Sequence, residues 1–341
     1  MSDELARAAG LLAASADVAI ACHVNPDTDA LGSMLGLSNF LRGRGVRTVC
    51  SFGNDPFEVP RWVAELPGSA ALVEPKTFPK EPAVMVTCDT ASMDRLGMLA
   101  PAAAKAGELL WIDHHVSNDG LGTIAVIDPT ASSTCELVWR LIRIMGGDVP
   151  VETAVCLYAG LVTDTGRFQY TAVRPDTLRL AAELREFPFD HARLAQALYE
   201  DNRLEYLKFL GTALERMTLE PDADLVWTYL TQADLADAGV HPSETDDLID
   251  VVRTAREADV AAIVKQQRDG RFKVSMRSRG GHDVAAVAAA FGGGGHRLAA
   301  GYTSKHGLEE TVRLLTGALR GELPERVEPE ETTGESESAG S

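Results

Sequence analysis

The sequence predicts an α/β protein with two domains, the first built on a mostly parallel sheet with flanking helices. Two observations support this prediction. Short apolar runs typical of strands alternate with longer amphipathic runs in the first half of the chain, and such alternation favours a parallel sheet. The chain also has 341 residues, of which 45% are hydrophobic, which is enough to form two cores.

In the first half, the spacing of apolar residues places each element. Leu31, Leu35 and Leu41 recur at helical spacing and predict a helix with one apolar face, as Leu137 and Leu141 do later in the chain. The shorter apolar runs between such helices are typical of buried strands. We expect helices over 4–14, 30–43, 133–145 and 151–162, and strands near 18–23, 46–52, 83–88, 109–113 and 123–127.

The second half begins with a charged helical stretch over 176–214, after which the pattern changes to that of a second, smaller α/β domain. Apolar runs at 225–230, 260–264 and 271–276 predict strands, and helices are expected near 243–257 and 283–291. The last residues are rich in Glu and poor in apolar side chains, which is typical of disorder. We therefore expect a first domain over 1–185, a helical linker over 186–220, a second domain over 221–321 and a disordered acidic tail over 322–341.

Composition narrows the range of functions. The net charge of −18 argues against binding long duplex DNA, which needs many contacts between basic residues and phosphates. No apolar run approaches the roughly 20 residues that span a bilayer, and the polar N-terminus differs from a signal peptide. We therefore expect a cytoplasmic protein without a membrane partner. The five cysteines form no CxxC pair and are expected to be reduced and buried.

Five apolar, strand-like runs end in Asp or His, and this repeated ending is the strongest functional signal in the chain. Buried carboxylates and imidazoles are costly to desolvate unless a cation meets them. The carboxyl ends of parallel strands share one edge, where ligands gather. We therefore expect a pair of divalent metal ions there. The endings are His23 with Asp27 and Asp29 after it, Asp89, the run Asp113, His114 and His115, Asp164, and, far along the chain, His296.

These endings differ in how specific they are. Two Asp residues in a loop are ordinary turn formers, and Asp89 or Asp164 alone could cap a helix. Adjacent imidazoles beside Asp113 at a buried strand end have few structural uses. A set that mixes nitrogen and oxygen ligands suits Mn²⁺, and also Fe²⁺, Co²⁺ or Zn²⁺. Two such ions can activate a shared water, so the pattern predicts hydrolysis of phosphoesters or phosphoanhydrides.

The second domain offers a candidate anion site. Four consecutive glycines, Gly292–Gly295, allow backbone N–H groups to approach a phosphate closely, and we expect a helix to follow them. Glycines alone would also suit a flexible turn. Arg277 upstream and His296 directly after the run favour binding of a phosphate or a base. The candidate substrate-binding residues are Arg277, Ser278, Gly293, Gly294, Gly295 and His296. Elsewhere, Ser132, Ser133 and Thr134 precede a helix and predict an N-cap.

Together these motifs resemble the DHH/DHHA1 phosphoesterase family, over nearly the whole chain. The length and two-domain plan look like the nanoRNase/pAp-phosphatase branch, whose actinobacterial relatives include cyclic-di-AMP phosphodiesterases. The matching residues are the stretch from His23 to Ser33, Asp89, Asp113–His115, Asp164, and the stretch from Gly292 to Gly301.

The resemblance implies a set of metal ligands. One Mn²⁺ would be held by His23, Asp27 and Asp89. A second Mn²⁺ would share Asp89 as a bridge. Its other ligands would be Asp29, His114 and Asp164.

The resemblance also implies a reaction. His115 would face the scissile phosphate, with Asp113 orienting a neighbouring imidazole, while Arg277 and His296 would hold the terminal phosphate or base in a cleft between the domains. Metal-activated water would cleave short nucleotides to mononucleotides. The expected substrates are nanoRNA, 3′-phosphoadenosine 5′-phosphate, pApA and cyclic di-AMP, and the family implies a homodimer.

Three other interpretations compete with this one. A RecJ-type single-strand exonuclease needs a groove that grips a strand, which the acidic composition does not favour. A class II inorganic pyrophosphatase shares the N-terminal motifs but lacks the glycine-rich C-terminal one. A non-catalytic nucleotide sensor could use the same residues without forming product.

Overall fold

The computed structural model of the protein describes residues 2–118, 120–245 and 248–322. The chain divides into two compact units, of which unit 1 ends at Asp201 and unit 2 begins at Asn202. The segment expected to be a linker, 186–220, is therefore shared between the two units. The predicted acidic tail, 322–341, lies outside the described residues except for Glu322.

Unit 1 has a five-stranded sheet whose neighbouring strands all run parallel, in the order β2-β1-β3-β4-β5. This confirms the parallel sheet that the alternating pattern predicted. Buried Val, Ile, Leu and Cys side chains fill the strands because helices cover both faces of such a sheet. The strands are β1 (Asp17–Cys22), β2 (Arg47–Phe52), β3 (Val84–Cys88), β4 (Glu108–Asp113) and β5 (Ile124–Ile127).

Two buried helices of unit 1, α2 and α5, pack unusually closely. A Cβ atom on Gly32 of α2 would lie 2.6 Å from the carbonyl oxygen of Cys156, and one on Gly160 of α5 would lie 3.0 Å from Cα of Asp29. Glycine is therefore required where these helices touch. The helices are α1 (Ser2–Ala14), α2 (Thr28–Gly43), α3 (Ala100–Ala104), α4 (Thr134–Met145), α5 (Val151–Asp164), α6 (Pro175–Arg185) and α7 (His191–Tyr199).

The strand-like interpretation of the residues before Asp164 is wrong, because 160–164 form the last turn of α5. The same residues continue the buried helix predicted over 151–162. Short apolar runs do not distinguish a strand from a buried helix when both faces are covered. Short 3₁₀ segments connect the other elements of unit 1: Arg61–Glu65, Ser69–Ala71, Pro75–Thr77 and Met93–Leu99.

Unit 2 has a six-stranded mixed sheet in the order β10-β11-β9-β8-β7-β6, in which β7 and β8 are parallel and the other pairs antiparallel. The strands are β6 (Thr218–Glu220), β7 (Leu225–Leu230), β8 (Val260–Gln266), β9 (Phe272–Ser278), β10 (Gly294–His296) and β11 (Ala299–Ser304). The helices are α8 (Leu204–Glu215), α9 (Gln232–Ala238), α10 (Leu248–Val252), α11 (Val284–Ala290) and α12 (Leu308–Leu319).

Two helical predictions in unit 2 are wrong. Over 243–257 the described residues form a 3₁₀ turn, Pro242–Thr245, and the short helix α10, which ends at Val252 because the charged residues after it offer no apolar face to bury. The last two glycines of the run belong to β10 and begin a β-hairpin, where a helix was expected to follow. Gly295 has φ +141°, and a side chain on Gly293 would collide with the backbone of Gly301 on the facing strand.

Composition also led to expectations about the cysteines and about membrane-spanning segments. All five cysteines are buried free thiols, as predicted. Among the described residues, no helix is both long enough and apolar enough to cross a bilayer.

Candidate metal centre

Three neighbouring parallel strands of unit 1 end at the same edge of the sheet. Cys22 of β1 pairs with Cys88 of β3, which pairs in turn with Ile112 of β4, so the residues that follow each strand lie side by side. Those residues are His23, Asp89 and the run Asp113, His114 and His115. The N-terminus of α2 adds Asp27 and Asp29, and the C-terminus of α5 adds Asp164.

The first group of possible ligands consists of His23, Asp27 and Asp89. Their ligand atoms all lie within 4.8 Å of one another. Nε2 of His23 is 3.5 Å from Oδ2 of Asp89 and 3.8 Å from Oδ2 of Asp27. Nδ1 of His23 is 2.8 Å from the carbonyl oxygen of Val24 and is the natural donor to it. In the neutral form that binds a metal, this tautomer would leave the lone pair of Nε2 facing the two carboxylates.

The second group consists of Asp29, His114 and Asp164. Nε2 of His114 is 3.3 Å from Oδ2 of Asp164 and 3.6 Å from Oδ1 of Asp89. Asp89 thus presents one oxygen to His23 and the other to His114. A carboxylate in this position can bridge two cations. Asp89 is 2% exposed and has φ +55°, a conformation uncommon for a residue other than glycine, which is typical of functional sites.

Asp113 orients His115. Its Oδ1 lies 2.7 Å from Nδ1 of His115 and also accepts the backbone N–H of His114 at 2.8 Å. Its Oδ2 accepts the side-chain amide of Asn118 at 2.6 Å, and that amide also donates to the carbonyl of Thr90 at 2.9 Å. Sequence reasoning missed Asn118. An amide side chain a few residues after two adjacent imidazoles was the available signal.

The N-terminus of α4 orients Asp29. The backbone N–H groups of Thr134 and Cys135 donate to the two oxygens of Asp29 at 2.6 and 3.0 Å, and the hydroxyl of Thr134 donates to Asp89 at 2.9 Å. Ser133 caps the helix by accepting the N–H of Glu136, as predicted. Sequence reasoning assigned only capping to this segment. The helix dipole favours a carboxylate at this end.

An exposed arginine near the first group was also missed. Nη2 of Arg95, on the 3₁₀ segment after β3, lies 3.2 Å from Nδ1 of His23. The carbonyl of Arg95 accepts the N–H of Val24, which ties this segment to the end of β1. No spacing pattern predicts this contact, because 72 positions separate the two side chains.

The electrostatics of the cluster favour the binding of cations. Burial, followed by repulsion from Asp89, raises the pKa of Asp29 to about 7. Burial and repulsion from Asp29 raise the pKa of Asp164 well above its usual range. Burial alone would lower the pKa of His23, but Asp27 and Asp89 raise it to about 10. Protons therefore neutralise the group when no metal is bound, and divalent cations would perform the same task near neutral pH.

The predicted substrate-binding residues lie together in unit 2. Ala299 of β11 pairs with Arg277 of β9 on one side and with His296 of β10 on the other. Gly294, Gly295 and His296 are exposed, whereas Ser278 is 3% exposed. The register thus brings two segments far apart in the sequence to one end of neighbouring strands.

Comparisons with known proteins agree with this architecture. A family model described as "DHH family, N-terminal domain" matches residues 17–161, and one described as "DHHA1 domain" matches residues 225–321. The chain is 32% identical to the "Bifunctional oligoribonuclease and PAP phosphatase NrnA" of Thermus thermophilus, over 92% of each chain. It is 30% identical to the Bacillus subtilis protein of the same name, over 86% of this chain and 90% of that one.

A solved structure has the same fold over nearly the whole chain. The exopolyphosphatase-related protein of Bacteroides fragilis superposes with a TM-score of 0.88 and 26% identity, covering 94% of this chain and 96% of that one. The family models, the curated relatives and the solved structure all cover both units. The chain therefore belongs to the DHH/DHHA1 family of phosphoesterases, which its motifs resembled.

Proposed function

We propose that this protein hydrolyses phosphoester bonds of very short nucleotides with the help of two divalent cations, preferentially Mn²⁺. The substrates would be nanoRNA, 3′-phosphoadenosine 5′-phosphate, pApA and cyclic di-AMP, and the products mononucleotides. The observation that carries the proposal is the position of Asp89, whose two oxygens face the imidazoles of two ligand groups. The names of the Thermus and Bacillus relatives support the substrate class.

The residues present fit two cations. Besides the two groups described above, Asp89, His114 and His115 form a third whose ligand atoms lie within 4.8 Å of one another. It shares Asp89 with the first group and His114 with the second, and the whole set mixes imidazole nitrogen with carboxylate oxygen. Such a set suits Mn²⁺, Fe²⁺, Co²⁺ or Zn²⁺ better than Mg²⁺. When bound, two cations would lower the pKa of a shared water and neutralise charge on the phosphoryl group. The first cation would bind His23, Asp27 and Asp89, and the second Asp29, Asp89, His114 and Asp164.

His115 would move the proton. Burial alone would lower the pKa of His115, but its hydrogen bond to Asp113 raises it, so the imidazolium form is stabilised. From Nε2, a protonated His115 would donate to a phosphoryl oxygen or to the leaving oxygen. Asp113 would remain ionised, since burial is outweighed by its bonds to His115 and Asn118 and its pKa is lowered.

Unit 2 would hold the other end of the substrate. Arg277 would pair with a terminal phosphate, and the backbone N–H groups of Gly294 and Gly295 would approach the same anion. The N–H of Gly293, which the sequence also assigned to this site, already donates to the carbonyl of Ala288 at 2.8 Å. His296 pairs with Ala299 on the side opposite Arg277, and it would contact the phosphate or the base. These roles are proposals, as is the homodimer that the resemblance implies.

The test is product chromatography after incubation with Mn²⁺ and an equimolar mixture of cyclic di-AMP, pApA, 3′-phosphoadenosine 5′-phosphate and a long single-stranded RNA. We expect loss of the small substrates with the long RNA spared, and the order of loss would rank them. Chelator should abolish the activity, and separate addition of Mn²⁺, Mg²⁺, Co²⁺ or Zn²⁺ would identify the preferred metal.

Two results would replace this proposal. Degradation of the long RNA first would favour the RecJ-type exonuclease. Tight binding of a nucleotide in Mn²⁺ without any product would favour the sensor.

A further inference from the structure

One carboxylate in unit 2 organises the loop that follows β9. Asp259 accepts the hydroxyl of Ser278 at 2.9 Å, the backbone N–H groups of Gly281 and His282 at 2.9 Å each, and Nδ1 of His282 at 3.0 Å. Burial alone would raise the pKa of Asp259, but these bonds lower it to about 2. The carboxylate is therefore ionised and fully engaged in holding the loop, which we call the Asp259 loop (residues 278–282).

Further hydrogen bonds, from the backbone and from the side chain of Arg279, also hold the Asp259 loop. The N–H of Arg279 donates to the carbonyl of Asp259 at 3.0 Å. The guanidinium of Arg279 donates to the carbonyl of Arg253 at 2.8 Å. Gly280 has φ +124°, a conformation that favours glycine, and its N–H donates to the hydroxyl of Ser278 at 2.9 Å. The loop thus has one defined conformation, centred on Asp259.

This loop connects the two predicted substrate-binding segments. Ser278 directly follows Arg277, and the carbonyl of Gly280 accepts Nη2 of Arg297 at 3.2 Å, next to His296. The carbonyl of Arg297 accepts the N–H of Val284 at the start of α11. Displacing the loop would therefore move both segments at once.

The bonds of Ser278 indicate its role. Its hydroxyl donates to Asp259 and accepts from Gly280, and the residue is 3% exposed. A hydroxyl has one proton to donate, and here Asp259 takes it. Ser278 therefore cannot also donate to a substrate phosphate while the loop keeps this conformation.

We infer that Asp259 is a positioning residue, which aligns Arg277 and His296 through the Asp259 loop, and that Ser278 anchors this loop instead of contacting substrate. The inference rests on the proposed function of unit 2. Asp259 would act on the affinity for substrate and not on the metal-centre chemistry, since its bonds lie within unit 2.

The first experiment compares Asp259→Asn with Asp234→Asn in the full-length, Mn²⁺-loaded protein. The amide that Asp259→Asn introduces would turn its own N–H donors toward the donors of the loop. Asp234 is a matched control, because its carboxylate also accepts several bonds, from Arg216 and Thr231, but on α9. We expect KM for pApA to rise about tenfold in Asp259→Asn with kcat nearly unchanged, and neither constant to change in Asp234→Asn.

A small chromogenic diester supplies a second measurement. Hydrolysis of bis(p-nitrophenyl) phosphate, which lacks a terminal phosphate and a base, should be the same in Asp259→Asn and the wild type. An unchanged KM for pApA in folded Asp259→Asn, or an equal loss with both substrates, would overturn the inference. Failure of the wild type to cleave any short nucleotide would instead overturn the proposed function.

A double-mutant cycle tests the role of Ser278. If Ser278→Ala acts through the loop, adding it to Asp259→Asn should raise KM by less than about twofold more. Multiplying effects would mean that Ser278 contacts substrate, and the inference would be wrong. Should Asp259→Asn fail to fold, the same cycle between Ser278→Ala and His282→Ala decides the question, because both remove one bond to an intact Asp259.

Discussion

The buried carboxylates of unit 1 and Asp259 of unit 2 meet opposite surroundings. Asp259 accepts bonds from two backbone N–H groups, a hydroxyl and an imidazole, and its pKa is lowered to about 2. Asp29 also accepts two backbone N–H groups, but it and Asp164 lie beside other carboxylates, and their pKa values are raised. The difference is therefore the neighbouring negative charge: an isolated carboxylate with several donors stabilises the fold, whereas clustered carboxylates at a sheet edge suit cations.

The largest expected effect is that of Asp89→Ala, which removes the carboxylate whose two oxygens face one imidazole of each ligand group. We expect kcat for pApA to fall by about 10³-fold or more, or ~4 kcal/mol of barrier, because both cations would lose a ligand. Steady-state kinetics with saturating Mn²⁺ would measure it. Asp176→Ala is the control, as this exposed residue of α6 pairs with Arg179 on the same helix. Full activity in Asp89→Ala would show that the clustered carboxylates of unit 1 do not hold catalytic cations.

Asn118→Ala should have the next largest effect. Without the amide, Asp113 keeps its bonds to His114 and His115 but loses the one that fixes its other oxygen. We expect kcat to fall about 10- to 100-fold with KM little changed, because His115 would be less well oriented. Asn39→Ala is the control, because it also removes a hydrogen bond from a side-chain amide to a backbone carbonyl, that of Pro67. It should lower stability without changing kcat. Equal kcat values in the two variants would contradict the role of Asn118.

The metal-free protein should lose stability as the pH rises. Asp29, Asp164, His23 and His114 all have raised pKa values, so the folded metal-free state binds more protons than the unfolded state. Each contribution is present below the unfolded pKa and is lost as the pH rises through the folded one. We expect the Tm in chelator to fall by several degrees between about pH 6 and about pH 9.

The dependence of Tm on pH should also be measured with Mn²⁺ bound and in the Asp29→Asn variant. Mn²⁺ should remove most of the slope, since metal ligands are deprotonated when bound. Asp29→Asn should reduce the slope without metal, because the amide does not titrate. A Tm that rises with pH in chelator would show that the carboxylates are neutralised in some other way.

The smallest expected effect is that of Asp234→Asn, which removes a carboxylate that stabilises unit 2. Hydrogen bonds from Arg216 lower the pKa of Asp234 to about 2 against some opposing desolvation, so its stabilising contribution is present above about pH 4 and is lost as the pH falls toward 2. Asp234→Asn should therefore lower stability at neutral pH by about 1 kcal/mol, and the difference should shrink in acid. Urea unfolding at both pH values would measure it, and a pH-independent difference would mean that the charge of Asp234 is not involved.

Sequence patterns were reliable where a local signal reported a local structure. The leucine spacing of α2, the apolar strands and the Ser133 cap all depend on neighbours within a few residues, and the structure confirms them. The helix predicted over 243–257 is cut short by the charged residues after Val252, whereas the prediction for the residues after the glycine run failed because a local pattern does not report strand pairing. After the glycine run, β10 pairs with β11, which pairs in turn with β9, and Gly293 lies close to the backbone of Gly301.

The sequence by itself determined the fold class, the family and the residues with metal-binding chemistry, since these depend on residue type and spacing. Only the tertiary structure decided which oxygen of Asp89 meets which imidazole, that Thr134 and Asn118 orient the acidic residues, and that Ser278 is bound to Asp259. These contacts join residues from different strands and loops. They depend on strand register and helix packing, which no single stretch of sequence specifies.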